Sequence, residues 1–506
     1  MLGPCLAVAA AAGFSLPLTA AVAGPDIATT LKAAIAAVFL GSALWPPVGL
    51  LAVGVVVPFS VFVQVSVGGQ PAAIEIADAF VLAFAAGASL RLARPSPSRP
   101  TRLGGPAMVL AAAVVASAVA ELATLQAVAP RAPMLADAWR HVTVDYWLHP
   151  RELSVVHHAW RWAGWLALAV YAERIVAASR APVIAFRAWM VIGLLGGLAA
   201  ATHLVRLAMA GGAGPLMTIR EALPVLRFSA LHPDLNAAGS YFALFLVPAI
   251  VVGVWRGTWW IRGIAAPLIG AAFFFARSRA AMAAVLLVMG GAYARHLVQS
   301  NARVRRLATP SSGVVAIGLV VLAVLAVTYV ATSRSNVAPL TAVEVRVQMA
   351  KVAFEAVRRQ PIFGVGLGDY IPGTRRFITP DMTLLRGFAP RGDNAHNNFL
   401  QLAVELGVPA LAIFLWLVVP VATVGIGRTS TDLSPEATGM SLGIAAFLLS
   451  AMLGHPLLVP QVGAMFFLAL GVGAGLGPAP HAGRGRGTLV GAGVSLYLLS
   501  AVWRLV

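Results

Sequence analysis

A chain of 506 residues that is 59% hydrophobic and 11% charged, with a mean hydropathy of +0.86, carries more apolar surface than a water-soluble domain can bury. Its net charge of +18 would point to nucleic acid in a soluble protein. Here the arginines sit in short loops between apolar runs of about 20 residues, so membrane topology accounts for them and no nucleic-acid partner is expected.

The first run, CLAVAAAAGFSLPLTAAVAG, lacks a charged leader region and is followed at once by further apolar segments, so it reads as a retained helix. Its Cys5 is the only cysteine, which excludes an internal disulfide. Spans are predicted at 4–24, 30–45, 46–66, 73–94, 105–128, 156–177, 182–208, 236–255, 258–276, 279–298, 311–332, 397–425, 436–456, 459–477 and 487–504. The expected fold class is an all-α polytopic integral membrane protein of about 12–15 transmembrane helices, with one long extracytoplasmic loop containing an amphipathic helix. Four segments follow: N-terminal helices 1–208, helices 209–332, the loop 333–396 and C-terminal helices 397–506.

Short arginine-rich loops stay cytoplasmic. Arg91, Arg94, Arg99 and Arg102 mark one; Arg174 with Arg180, Arg256 with Arg262, the cluster Arg295 to Arg306, and Arg484 with Arg486 mark others on the same side. The loops at 130–155, 209–235 and 333–396 then face outward. Loop 130–155 holds Trp139, His141, Tyr146, Trp147 and His149, aromatic groups suited to the membrane interface. The loop 333–396 is basic on the side where topology disfavours arginine: nine residues from Arg334 to Arg391 oppose five carboxylates. That excess reads either as a solvated face or as an anion site. Within it, 340–359 shows a helical stripe of Val343, Val347, Ala350, Phe354 and Val357, expected to lie against the membrane surface. Gly364, Gly366 and Gly368 follow in IFGVGLGDY, a turn that could serve as the hinge of a lid.

Three outward segments carry the candidate chemistry. RFSALHPDLNAAGSY presents Arg227, His232, Asp234 and Asn236 just before a span. FFFARSRAAM places Arg277, Ser278 and Arg279 between two spans, where they read either as a snorkelling turn or as phosphate ligands. DNAHNNFLQLAVELGVPA opens another span with His396, flanked by Asn397 and Asn398, either of which could cap the helix. An imidazole at that height can be a satisfied helix-start residue or a general base. His396 has no second ligand at i+3 or i+4, so no metal is expected there.

In their order along the chain, these segments resemble the O-antigen ligase and polymerase family of bacterial envelope glycosyltransferases. The resemblance covers about 225–425 and rests on His232 to Asn236, Ser278-Arg279, Arg346 followed by Pro361 to Gly368, and His396 to Gln401 through Glu405-Leu406-Gly407. Two departures stand out: HPDLN leaves either Asp234 or Asn236 as the family's asparagine, and Val408-Pro409-Ala410 replaces a more usual glycine. The resemblance implies transfer of a saccharide from undecaprenyl diphosphate to an acceptor hydroxyl at the outer face of the bacterial inner membrane, without cofactor or metal. Its partners would be the carrier-linked glycan donor, a glycan or lipid A-core type acceptor, and membrane lipid. His396 and Arg279 are the implied catalytic pair. Arg227, Asn236, Ser278, Arg346, Asn397, Gly366, Arg277 and Arg391 are the implied substrate-binding residues. The alternative class is a transporter or flippase of a lipid-linked or anionic substrate, which would need charges near mid-membrane.

Overall fold

The computed structural model describes residues 2–23, 27–60, 66–67, 70–71, 76–92, 101–128, 134–144, 146, 153–179, 181–210, 232, 234–300, 339–378, 394–427, 433–478, 490–497 and 499. The expected span at 311–332 and the candidates Arg227 and Arg391 lie outside them. Among the described residues the regular structure is helical apart from an antiparallel pairing of Ser66–Val67 with Gln70–Pro71. In order come α1 (Leu2–Ala23), α2 (Thr29–Leu44), α3 (Pro46–Phe59), α4 (Ile76–Leu92), α5 (Gly104–Val128), α6 (Met134–Thr143), α7 (Ser154–Ala178) and α8 (Pro182–Ala210). Then follow α9 (Leu235–Arg256), α10 (Ala266–Ala276), α11 (Arg279–Ser300), α12 (Pro339–Arg359), α13 (Tyr370–Thr374), α14 (Asn398–Ala422), α15 (Val424–Gly427), α16 (Pro435–Ala451) and α17 (Pro460–Leu476). Among the described residues, 5 helices are long and apolar enough to cross a membrane, and shorter apolar helices accompany them. The fold is that of an all-α polytopic membrane protein.

Helix α9 is the centre of the bundle. It is apolar on every side, and nearly every residue from Ala237 to Gly253 is buried, the pattern of a helix surrounded by others. Small residues set the close approaches, as is usual where apolar burial alone cannot drive helices together. Gly439 and Gly443 of α16 lie against Pro248 of α9, and Gly463 of α17 lies against the Trp165 indole of α7.

The ends of the helices sort into two groups. At one end Arg102 and Leu103 donate backbone N–H groups to the Glu173 carboxylate (2.6 and 3.0 Å), the Arg102 guanidinium meets the Pro478 carbonyl, and Arg256 pairs with Glu436 (3.2 Å). At the other end lie Asp234, Arg277 to Arg279, His396 and His455.

Helix α12 forms where the amphipathic pattern placed it. Of the expected stripe, Val347 and Phe354 are 48% and 61% exposed, while Met349, Val352, Ala353 and Ala356 are buried. This i, i+3, i+4, i+7 set lies on the side of α14, and Ala353 and Ala356 form a satellite core with Tyr370, Phe377, Ala395 and Val404, against which Val357 packs.

Candidate active site

The start of α14 is built residue by residue from its own sequence. Asn397 is the N-cap, its side-chain oxygen accepting from Phe399 N (2.9 Å) and Leu400 N (3.0 Å). Asn398 works differently, because its oxygen accepts from Leu457 N (3.1 Å) and so ties the helix to the short turn Pro456–Leu458 between α16 and α17. Gln401 accepts from Ala395 N (3.3 Å) and donates to Glu405 (2.5 Å), and Glu405 accepts in turn from Gly368 N (3.0 Å). Gln401 and Glu405 lie one turn apart on one face, so together they hold two stretches of chain outside the helix, at Ala395 and at Gly368.

The glycine turn docks on the same helix. Gly407 has φ of +86°, which breaks the α14 ladder and exposes carbonyls that the turn takes up. Val365 N donates to Val404 O (2.7 Å), Gly366 N to Glu405 O (3.1 Å), and Val408 N returns to Pro361 O (2.8 Å). A Cβ on Gly407 would strike the Ile362 carbonyl, and one on Gly364 (φ +67°) the Val404 carbonyl, so both positions need glycine for shape as well as for conformation. The expected hinge is thus a clasp, because hydrogen bonds left open by the helix break hold the turn down. Gly366 acts through turn geometry, its amide being engaged by Glu405. The departure at Val408-Pro409-Ala410 follows the break directly, and Pro409 is tolerated because the ladder is already interrupted.

Glu121 of α5, Asp369 and Glu405 surround this turn, and the Glu121 Oε2 atom lies 3.0 Å from the position a Gly366 Cβ would take. Burial raises the Asp369 carboxyl above its ordinary range, against an opposing hydrogen bond from Glu121. For a carboxyl raised on folding, the fold favours the protonated form. Its stabilisation is present below the unfolded value, near ~4, and is lost as pH rises through the folded one. The thermal midpoint of the purified protein is expected to fall as pH rises above about 4, and Asp369→Asn to flatten that fall. Parallel curves for the two proteins would remove Asp369 as the cause.

The arginine turn is equally defined. Arg277 ends α10 in a left-handed conformation (φ +46°), with its guanidinium 5.9 Å from the Phe274 ring centroid on the outer surface. Ser278 is buried and its hydroxyl receives Ala281 N (3.4 Å) at the head of α11. A Cβ on Gly239 would be driven into Ser278, so the α9 start and the arginine turn are in contact through the absence of a side chain. Arg346 of α12 comes near enough to feel Arg279: burial first, and then that like charge, lower its guanidinium from its ordinary value. Like charges held together in this way repel one another, and an anion between them would relieve that repulsion.

Asp234 and Asn236 hold different places at the start of α9. It caps α9, its Oδ1 accepting from Ala237 N (2.6 Å), while Asn236 lies in the first turn with its carbonyl receiving the Ser240 hydroxyl (3.1 Å). His232 is buried against Tyr241 (4.6 Å between rings), and burial pushes its imidazole down to about 3, which keeps it neutral. The histidine next to His396 is one that sequence reading passed over. His455 sits 4.8 Å from the His396 ring at 75°, and its Nε2 lies 3.8 Å from Asp234 Oδ2. A histidine-proline pair at a span end, repeating His232-Pro233, was the available signal.

Among the described residues, only two non-glycine residues have positive φ, Arg277 and His396 (φ +45°). Both fall in segments singled out from the sequence, and such strain collects where function over-determines the backbone. The aromatic loop lies elsewhere: His141 Nε2 and His157 Nε2 hydrogen bond at 2.7 Å beside buried Tyr146, while Trp139 is exposed. No curated protein and no solved structure matches the chain. The family model described as O-antigen ligase matches residues 264–415, a stretch that begins before the arginine turn and takes in α11, α12, the glycine clasp and the helix headed by His396. Residues 264–415 are thus similar to the O-antigen ligase family, the match covering less than a third of the chain.

Proposed function

We propose that the protein transfers a saccharide from undecaprenyl diphosphate to an acceptor hydroxyl at the outer face of the bacterial inner membrane, as an O-antigen ligase or surface polysaccharide polymerase. The observation that carries this reading is the convergence at one end of the bundle: the Arg279–Arg346 like-charge pair stands among the same helix starts as a strained histidine. The family match supports a glycosyltransferase-like ligase role in O-antigen assembly. In the single displacement we envisage, the acceptor oxygen bonds to the anomeric carbon and the bond from that carbon to the diphosphate breaks. The electron pair goes to the diphosphate, held by Arg279 and Arg346 with Arg227 and Arg391 as further ligands, and the acceptor proton goes to His396. Because the carrier's lipid tail stays in the bilayer, its diphosphate meets water at the height of these helix ends, which accounts for a histidine at the lip of a span.

The test is incubation of the purified full-length protein with a carrier-linked glycan and either a second carrier-linked glycan or a lipid A-core acceptor, in excess chelator. A lengthened carrier-linked product identifies a polymerase and a glycosylated lipid A core a ligase. Transfer that stops in chelator and returns with a divalent ion would overturn the metal-independent mechanism, and no product with any acceptor would overturn the transferase.

A further inference from the structure

The family match begins at residue 264 and ends at 415, so it covers neither Asp234 nor His455. Yet His455 stands beside His396, and Asp234 beside His455, each brought there by another helix. His455 is nearly enclosed, with its side chain 14% exposed. Its place is fixed two ways: its carbonyl accepts from Leu458 N (3.0 Å), and the turn that it begins is tied to α14 through Leu457 N and Asn398 (3.1 Å). Its Nε2 lies 3.8 Å from Asp234 Oδ2, at ion-pair distance, and the sister oxygen caps α9. The edge-to-face contact of His455 with His396 therefore sets the imidazole at the head of α14 against one that is rigidly held.

We propose that His455, anchored by Asp234, is a positioning residue for His396, setting the plane of its ring toward the acceptor and giving the imidazolium formed on proton transfer a carboxylate across a second imidazole. This rests on His396 being the base. The arrangement is carboxylate, imidazole, imidazole, in which the first two members never touch substrate. It explains why Asn398 ties α14 to the turn before α17: that bond keeps the two histidines in register. It also assigns the HPDLN aspartate a charge role separate from capping.

The chemistry allows these roles to be pulled apart. Asparagine caps a helix about as well as aspartate, so Asp234→Asn keeps α9 intact while removing the charge. Glutamine at 455 keeps an N–H donor on the side that faces Asp234. With purified full-length protein and carrier-linked glycan donor, His455→Ala is expected to lower kcat about 10- to 100-fold with the donor KM within about twofold of wild type. His455→Gln should recover part of that loss, and Asp234→Asn should lower kcat less than His455→Ala. The double variant Asp234→Asn with His455→Ala should be no slower than His455→Ala alone, because the two act as one chain. Wild-type kcat in His455→Ala, a change confined to KM, or losses that simply multiply would each overturn the proposal. If His455→Ala is poorly produced, the glutamine and asparagine variants decide it by the same comparison. A His396→Ala protein that still transfers sinks the base assignment itself, whereas an inactive His396→Ala beside a fully active His455→Ala sinks only the positioning role.

Discussion

His396→Ala is expected to insert and purify like the wild type and to transfer glycan roughly a hundredfold to ten-thousandfold more slowly, the span attributed to a positioned general base. The structure sharpens this expectation, because of the two asparagines expected to cap the helix it is Asn397 that does so, and His396 has no part in the cap. Nothing in the capping of α14 is lost with the imidazole. One complication is the backbone, since φ of +45° disfavours alanine by about 1 kcal/mol or somewhat more. His396→Gly removes the side chain without that strain and should be as slow as His396→Ala. A glycine variant with near wild-type turnover would show that the alanine had acted through the backbone, and the base would have to be sought elsewhere.

The second large effect concerns the paired guanidiniums. Arg279→Lys keeps the charge but loses the planar fork, and turnover should drop about tenfold or more with diphosphate-linked donor. Arg346 offers a test that a surface arginine could not pass. Because burial and Arg279 both disfavour its charge, Arg346→Met should raise the thermal midpoint of the donor-free protein while lowering transfer at least as far. Stability and activity moving in opposite directions is the signature of a repulsion kept for a ligand. If Arg279→Lys turns over at the wild-type rate and Arg346→Met is merely less stable, both residues return to membrane-surface anchoring, where Arg277 over Phe274 already stands.

Much of the α14 start was legible because its signals are local. An asparagine before an apolar run reads as a cap, which depends on residues within a turn, whereas the break at Gly407 inside the expected span 397–425 was not read. The positions of Asn398, Gln401 and Glu405 were visible too, but not what they hold, since each binds backbone outside its own helix: Leu457, Ala395 and Gly368. Glycines at 364, 366 and 368 suggested freedom when taken alone. Only the carbonyls exposed by Gly407, some forty residues on, turn that freedom into attachment. For α12 the amphipathic pattern was legible in the sequence, whereas the face that packs on α14, with Met349, Val352, Ala353 and Ala356 buried, is set by that neighbouring helix.

By itself the sequence determined that this chain is a bundle of apolar helices of a membrane protein, and it marked three short segments that hold the polar groups worth testing. Those are properties of composition and short-range spacing, and they need no knowledge of which helix neighbours which. The tertiary structure alone decided that Arg346 stands by Arg279, that Ser278 rests on Gly239, and that Asp234 and His455 back His396. Such pairings are fixed by which small residues let which helices approach, a matter of packing across more than two hundred residues that no local pattern encodes.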